Sequence, residues 1–169
     1  MKKNSGFTLL ELLVLLAVVA ILVAVGTPTM SEFIKNNRLT TQINTLVGDL
    51  AYARSEAVTR NLPVVVCASN NQTSCSSANW ADGWIVFSDI DNNGDVSAGE
   101  VVLRAQQLLE GNNTLVSTTG SSVVYDSRGF SPNSNGSFSL CDERGPAHVK
   151  SITISNTGRV RKGGSASCT

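Results

Sequence analysis

The chain has 169 residues, with thirteen basic and thirteen acidic side chains and no formal net charge. That length suits one anchoring helix and one compact domain of ordinary size. Four cysteines without a CxxC pair and a single histidine, His148, argue against a zinc centre, and the absence of a G-x-S-x-G elbow or a glycine-rich phosphate loop argues against hydrolase and nucleotide-binding chemistry. Charge is uneven: residues 31–125 hold nine acidic and five basic side chains, whereas residues 126–169 hold three acidic and six basic. The C-terminal portion is thus mildly positive.

Lys2 and Lys3 open the chain. From Phe7 to Val25 the only polar residues are Thr8 and Glu11. As a helix this run spans about 28 Å, one hydrocarbon core. No Lys or Arg follows before Lys35, so the positive-inside bias keeps the N-terminus in the cytoplasm and sends the rest outward. A secretory signal peptide has a similar plan, with small residues near Ala24–Val25–Gly26 and a chain starting near Thr27. Glu11 speaks against it. A carboxylate in the bilayer costs about 2.5–3.5 kcal/mol on insertion scales and is usually kept for a paired role, which a disposable signal does not need.

The stretch Gly6-Phe7-Thr8-Leu9-Leu10-Glu11 resembles the prepilin motif of type IV pilins and type II secretion pseudopilins. The resemblance implies cleavage between Gly6 and Phe7 by a prepilin peptidase and N-methylation of Phe7. It divides the chain into a leader, 1–6, a hydrophobic transmembrane or filament-core helix, 7–30, and a periplasmic pilin domain, 31–169. In a filament the free amine of Phe7 would meet Glu11 of a neighbour, and each charge would offset the other's desolvation. Glu11 is then an assembly residue rather than a catalytic one.

Past the apolar run, Leu39, Ile43, Leu46, Val47, Leu50, Ala53, Ala57 and Val58 follow the i, i+3, i+4, i+7 spacing of an amphipathic helix. One helix from Phe7 to about Arg60 is predicted, with a weak point or kink at Gly26 and Pro28. Asn61-Leu62-Pro63 ends it. Strands are predicted over Val64–Ala68, Trp84–Ser88, Val101–Gln106, Ser122–Tyr125, Ser137–Cys141, Val149–Ser155 and Arg159–Arg161, with Asn156-Thr157-Gly158 turning between the last two. Residues 127–136 read as a polar loop and residues 163–169 as a small, flexible tail. The expected fold class is α+β: a long N-terminal helix packed on antiparallel sheets. Trp84 is expected in the core, and His148 is expected to be a satisfied structural histidine.

Three groups of residues carry chemistry. Residues 89–100, DIDNNGDVSAGE, fit the calcium-loop spacing, with side-chain oxygens from Asp89, Asp91, Asn93 and Glu100 and the carbonyl of Asp95. Because the flanks read as strands rather than helices, the competing reading is a self-capped turn with no bound ion. Arg159, Arg161 and Lys162 form a basic stretch, with Arg144 and Lys150 expected near it; such a cluster can engage DNA phosphates or simply guard an exposed strand edge. In an oxidising compartment Cys67, Cys75, Cys141 and Cys168 read as two disulfides. Of three possible pairings, sequence proximity favours Cys67–Cys75 and Cys141–Cys168, worth about 2.5 and 3.5 kcal/mol as upper figures.

The order Tyr52-Ala53-Arg54-Ser55-Glu56-Ala57, then the Trp84 strand and an acidic turn, then Thr157-Gly158-Arg159-Val160-Arg161, resembles the GspH/FimT/FimU group of minor pilins and pseudopilins. The resemblance implies a non-enzymatic subunit of the inner membrane that takes part in assembly of a type IV pilus, its tip included. Its partners would be other minor pilins, the major pilin and the prepilin peptidase, with no small-molecule substrate and no required cofactor. Two alternatives share these residues: a DNA-binding minor pilin for DNA uptake, whose Gly158-Arg159-x-Arg161 resembles a motif of FimT-type pilins, and a type II secretion pseudopilin. A secreted enzyme behind an ordinary signal peptide is the reading from a different class.

Overall fold

A computed structural model describes residues 6–164 and 167–168, the side chains of 25–29 excepted. The chain divides into two compact units, one up to Asn37 and one from Arg38 to Thr169. Helix α1, Leu9–Arg60, begins in the first and ends in the second. The expected weak point at Gly26 and Pro28 falls where the side chains lie outside the described set, and the backbone is helical through both positions.

The helix ends as its sequence directs. Asn61 takes the left-handed conformation, with φ +54°, and the Leu62 N–H reaches back to the Ala57 carbonyl at 3.3 Å. That is the pattern in which a left-handed residue satisfies the last carbonyls of a helix. Pro63 cannot extend the helix.

The second unit is built on the stripe Leu39, Ile43, Leu46, Leu50, Ala53 and Ala57, all buried. Val47 only touches the core from a half-buried place, and Val58, expected in the stripe, is exposed because it falls on the outer flank of the helix. Two antiparallel four-stranded sheets complete the unit. The first comprises β1, Val64–Ala68; β2, Trp84–Ser88; β3, Val102–Gln106; and β5, Ser122–Tyr125, in the order β3-β2-β1-β5. The second comprises β4, Thr114–Ser117; β6, Gly136–Cys141; β7, Lys150–Ile154; and β8, Val160–Lys162, in the order β4-β6-β7-β8. Strand β4 has no counterpart in the predicted set. β1, β2 and β5 have the predicted bounds; β3, β6, β7 and β8 shift by one residue at one or both ends, so that Arg159 stands just before β8.

Strands β1 and β2 are apolar up to Ser88 because both faces are covered. Val64, Val66, Ala68, Trp84 and Val86 meet the helix stripe, while Val65, Cys67, Ile85 and Phe87 form a second cluster on the opposite face with Cys75, Val96, Val102 and Val124. Both tryptophans are core residues. Trp80 donates its indole N–H to the Gly120 carbonyl at 2.8 Å and meets Phe138 edge-on, with ring centres 4.8 Å apart. Trp84 donates to Asp49 Oδ2 at 2.9 Å, and Arg104 of β3 donates to Asp49 Oδ1, also at 2.9 Å. The Arg104 guanidinium also lies 3.8 Å over the Tyr52 ring. One buried carboxylate thus ties α1 to two neighbouring strands.

Disulfides join Cys67 to Cys75 and Cys141 to Cys168. The second changes the expectation for the tail. Gly163 donates to the Ser151 carbonyl at 2.8 Å and accepts from Thr153 Oγ1 at 2.6 Å, and the Ser167 N–H bonds Ser139 Oγ at 3.2 Å. The described part of the tail is tied to β7 and β6, the two inner strands of the second sheet, whereas its small residues alone suggest a free end.

At the end of β6, Arg144 binds Asp142 through Nε at 2.9 Å and Nη2 at 2.6 Å, with both side chains nearly buried. The Arg144 hydrogen bonds hold the Asp142 carboxyl below the usual carboxylate range, against the opposing effect of burial. A carboxyl depressed in the fold stabilises fully above the unfolded value, about 3.9, and that contribution is lost as pH falls through the depressed value. Asp142→Asn removes the titrating group. Thermal melts of wild type and variant from neutral pH into acid are expected to differ by about 2 kcal/mol near neutrality, with the gap closing as pH drops below the ordinary carboxylate range. A gap that stays constant through acid would contradict this.

Candidate assembly site and charged surfaces

The N-terminal site is assembled from backbone geometry and bare apolar surface. Thr8 precedes the first helical residue, and its Oγ1 accepts the Glu11 backbone N–H at 3.2 Å. Thr8-x-x-Glu11 is the spacing of a helix capping box, and an acidic residue in the first turn also favours the helix dipole. The sequence shows this local role as plainly as the intermolecular one, and it is easily overlooked beside the membrane argument. Glu11 and Phe7 are both exposed, and the large apolar side chains from Phe7 to Val23 are between 47% and 77% exposed. Among the described residues no helix is long and apolar enough to cross a membrane. The run expected to do so, 7–30, continues into residues 25–29, whose side chains lie outside the described set.

The basic residues separate into two surfaces. Register pairs Ile152 with Lys162 and Thr153 with Arg161. Side chains alternate along a strand, so Lys162 shares the helix-facing side of the sheet with buried Ile152, while Arg161 and Arg159 share the outer side with Thr153. Arg159, Arg161 and Lys162 are all exposed. Arg144, expected near them, is instead held by Asp142. Gly158 has a structural reason of its own. It is buried with φ +73°, and a Cβ there would run into the Gly129 carbonyl oxygen and crowd the Tyr125 ring. The turn before β8 therefore packs tightly on the 126–130 loop, which Arg54 of α1 also grips through the Gly129 carbonyl at 3.0 Å.

In the acidic loop the carboxylates of Asp89, Asp91 and Glu100 come within 4.8 Å of one another. They already have work. Asp89 accepts from the Asn93 and Gly94 N–H groups, each at 3.0 Å; Asp91 accepts from Asn93 N–H at 3.2 Å and from its side-chain amide at 2.9 Å. Glu100 accepts from Ile90 at 2.6 Å and from Ser97 at 2.8 Å. Asp95 turns its side chain to Val96 at 2.8 Å and to Cys75 N–H at 3.2 Å, which docks the loop on the Cys67–Cys75 staple. Burial raises the Asp89 carboxyl, with the Gly94 and Asn93 N–H groups opposing it and the charges of Glu100 and Asp91 adding to it. His148 is exposed in a short 3₁₀ turn and has no part in any of these clusters.

A family model described as type II transport protein GspH matches residues 42–158, and one described as the prokaryotic N-terminal methylation motif matches residues 1–27. No curated protein sequence matches the chain. Among solved structures, the type IV minor pilin FimU of Pseudomonas aeruginosa is similar at 20% identity and a TM-score of 0.63, covering 78% of this chain and 92% of that one. A second crystal form of FimU matches at 20% identity and a TM-score of 0.58, over 75% and 93%. The minor pseudopilin EpsH of the Vibrio cholerae type 2 secretion system matches at 12% identity and a TM-score of 0.54, over 74% and 95%. These likenesses share the fold described above: a long helix packed on two antiparallel four-stranded sheets. Membership in such a family implies a structural, non-enzymatic subunit, processed by prepilin peptidase and assembled with other pilins. With its methylation motif and its matching domain, the chain belongs to the GspH family of minor pilins and pseudopilins.

Proposed function

We propose that this chain is a minor subunit of a type IV pilus. It would wait in the inner membrane as a single-pass prepilin with its domain in the periplasm, then enter the filament. The observation that carries this is the bare apolar helix behind a capped N-terminus with one carboxylate in its first turn. Apolar surface on that scale marks a site that other molecules cover. Cleavage at Gly6 would free the Phe7 amine, and Glu11 of a neighbour is the charge that amine needs in a low-dielectric bundle. The choice of a pilus over a secretion pseudopilus leans on the greater likeness in fold to FimU. In this reading the 89–100 loop is a self-capped turn rather than a calcium site, because its carboxylates accept the loop's own N–H groups.

Glu11→Gln separates the two roles of that residue, since the Thr8 cap uses the backbone N–H and survives the change. Incorporation into sheared filaments is expected to fall about tenfold or more on loss of the charge pair. Thr8→Ala is expected to cost about 1 kcal/mol of helix stability and to lower incorporation less. Wild-type incorporation of Glu11→Gln would overturn the pairing.

A second reading rests on Arg159, just before β8, and Arg161, on its outer side, both exposed with no ion pair among the described residues. Guanidinium groups two residues apart can bridge successive phosphates without reading bases. If the subunit captures DNA, Arg159→Ala/Arg161→Ala should weaken duplex binding and reduce its salt slope by about 2 in gel shifts at two salt concentrations. Unchanged binding and slope would reject that role.

A further inference from the structure

A groove runs between α1 and the second sheet. It is lined by Thr40, Ile43 and Asn44 of the helix and by Lys150, Ile152 and Lys162 of β7 and β8, and holds about 340 Å³. Its floor is apolar, since Ile43 and Ile152 are buried core residues. Its rim is polar and cationic. Lys150 and Ile152 are two residues apart on one strand, and Lys162 is the cross-strand partner of Ile152, so both ammonium groups stand on the same side of the sheet. Both lysines are exposed, neither ammonium group takes part in an ion pair or hydrogen bond among the described residues, and no acidic residue lines the groove.

We propose that this groove receives a carboxylate-rich loop of another pilin subunit. The proposal rests on the reading of the chain as a filament subunit and names one contact within that assembly. Charge complementarity supports this: two uncompensated ammonium groups over an apolar floor suit a side-chain carboxylate carried on a loop. A recessed groove with two lysines fits a single loop better than a duplex, whose phosphates are better served by the Arg159 and Arg161 side of β8.

The test uses the full chain in cells that assemble the filament. Lys150→Glu/Lys162→Glu should cut the subunit's share in sheared filaments about tenfold, as like charges meet, while Lys150→Arg/Lys162→Arg should stay near wild type. Both disulfides, checked on non-reducing gels, show whether each variant folds. If the double reversal does not accumulate, Lys162→Gln and a photo-crosslinker at position 162 decide. A crosslink into an acidic segment of another pilin supports the proposal. Wild-type incorporation of the charge-reversed variant overturns it, as does a crosslink to DNA or to a second copy of this chain. Glu11→Gln, run in parallel, separates the two levels of failure. If Glu11→Gln is lost from filaments and the lysine reversal is not, only the groove is wrong; if neither is lost, the filament reading fails with it.

Discussion

A helix that is apolar on every side cannot remain in water. From Phe7 to Val23 the large side chains are exposed. Lipid can cover them, and so can the helices of other subunits. The single carboxylate at Glu11 distinguishes the two. In lipid it is a cost; between helices it can be matched by a cation. The Thr8 cap fixes where the helix starts and so fixes the height of Glu11 relative to Phe7. That local bond would link helix initiation to the geometry of the proposed contact between subunits.

The second unit solves a different problem. Its helix must hold two sheets in defined register. Asp49 accepts from Trp84 and Arg104, which locks α1 to β2 and β3. Arg54 reaches the 126–130 loop, which in turn seats the turn at Gly158. One disulfide anchors the loop on which the acidic turn rests, and the other fastens the tail to β6. The charged side chains left over are then presented on rigid strands and stapled loops, the placement that a binding surface requires.

Much of this is legible in the residues. The helix follows from the spacing of Leu39, Ile43, Leu46, Leu50, Ala53 and Ala57, and its end follows from Asn61 and Pro63. Strands β1 and β2 are apolar runs of five and four residues bounded by turn formers. Strand β4 is not legible, because Thr114–Ser117 has only Leu115 and Val116 as apolar residues and draws its stability from pairing with β6, some twenty residues on. Long-range pairing of that kind leaves little trace in local pattern. The basic cluster is half legible. Alternation alone puts Arg159 and Arg161 on one side of a strand, but only the register with Ile152 shows that Lys162 faces the helix and joins Lys150. Arg144 lies near in sequence and is taken up by Asp142, a contact set by the turn after β6. The acidic loop has calcium-site spacing, yet strand flanks let its carboxylates fold onto their own backbone.

The central claim is that the apolar helix is kept in the working protein and is buried against other subunits. Mass spectrometry of the mature chain, isolated from its own cells, tests this most directly. The account predicts an N-terminus at Phe7 carrying one added methyl group, with the whole segment through Ala24 retained. A mature chain that starts near Thr27 would contradict it, because the helix that must be covered would then have been discarded before assembly.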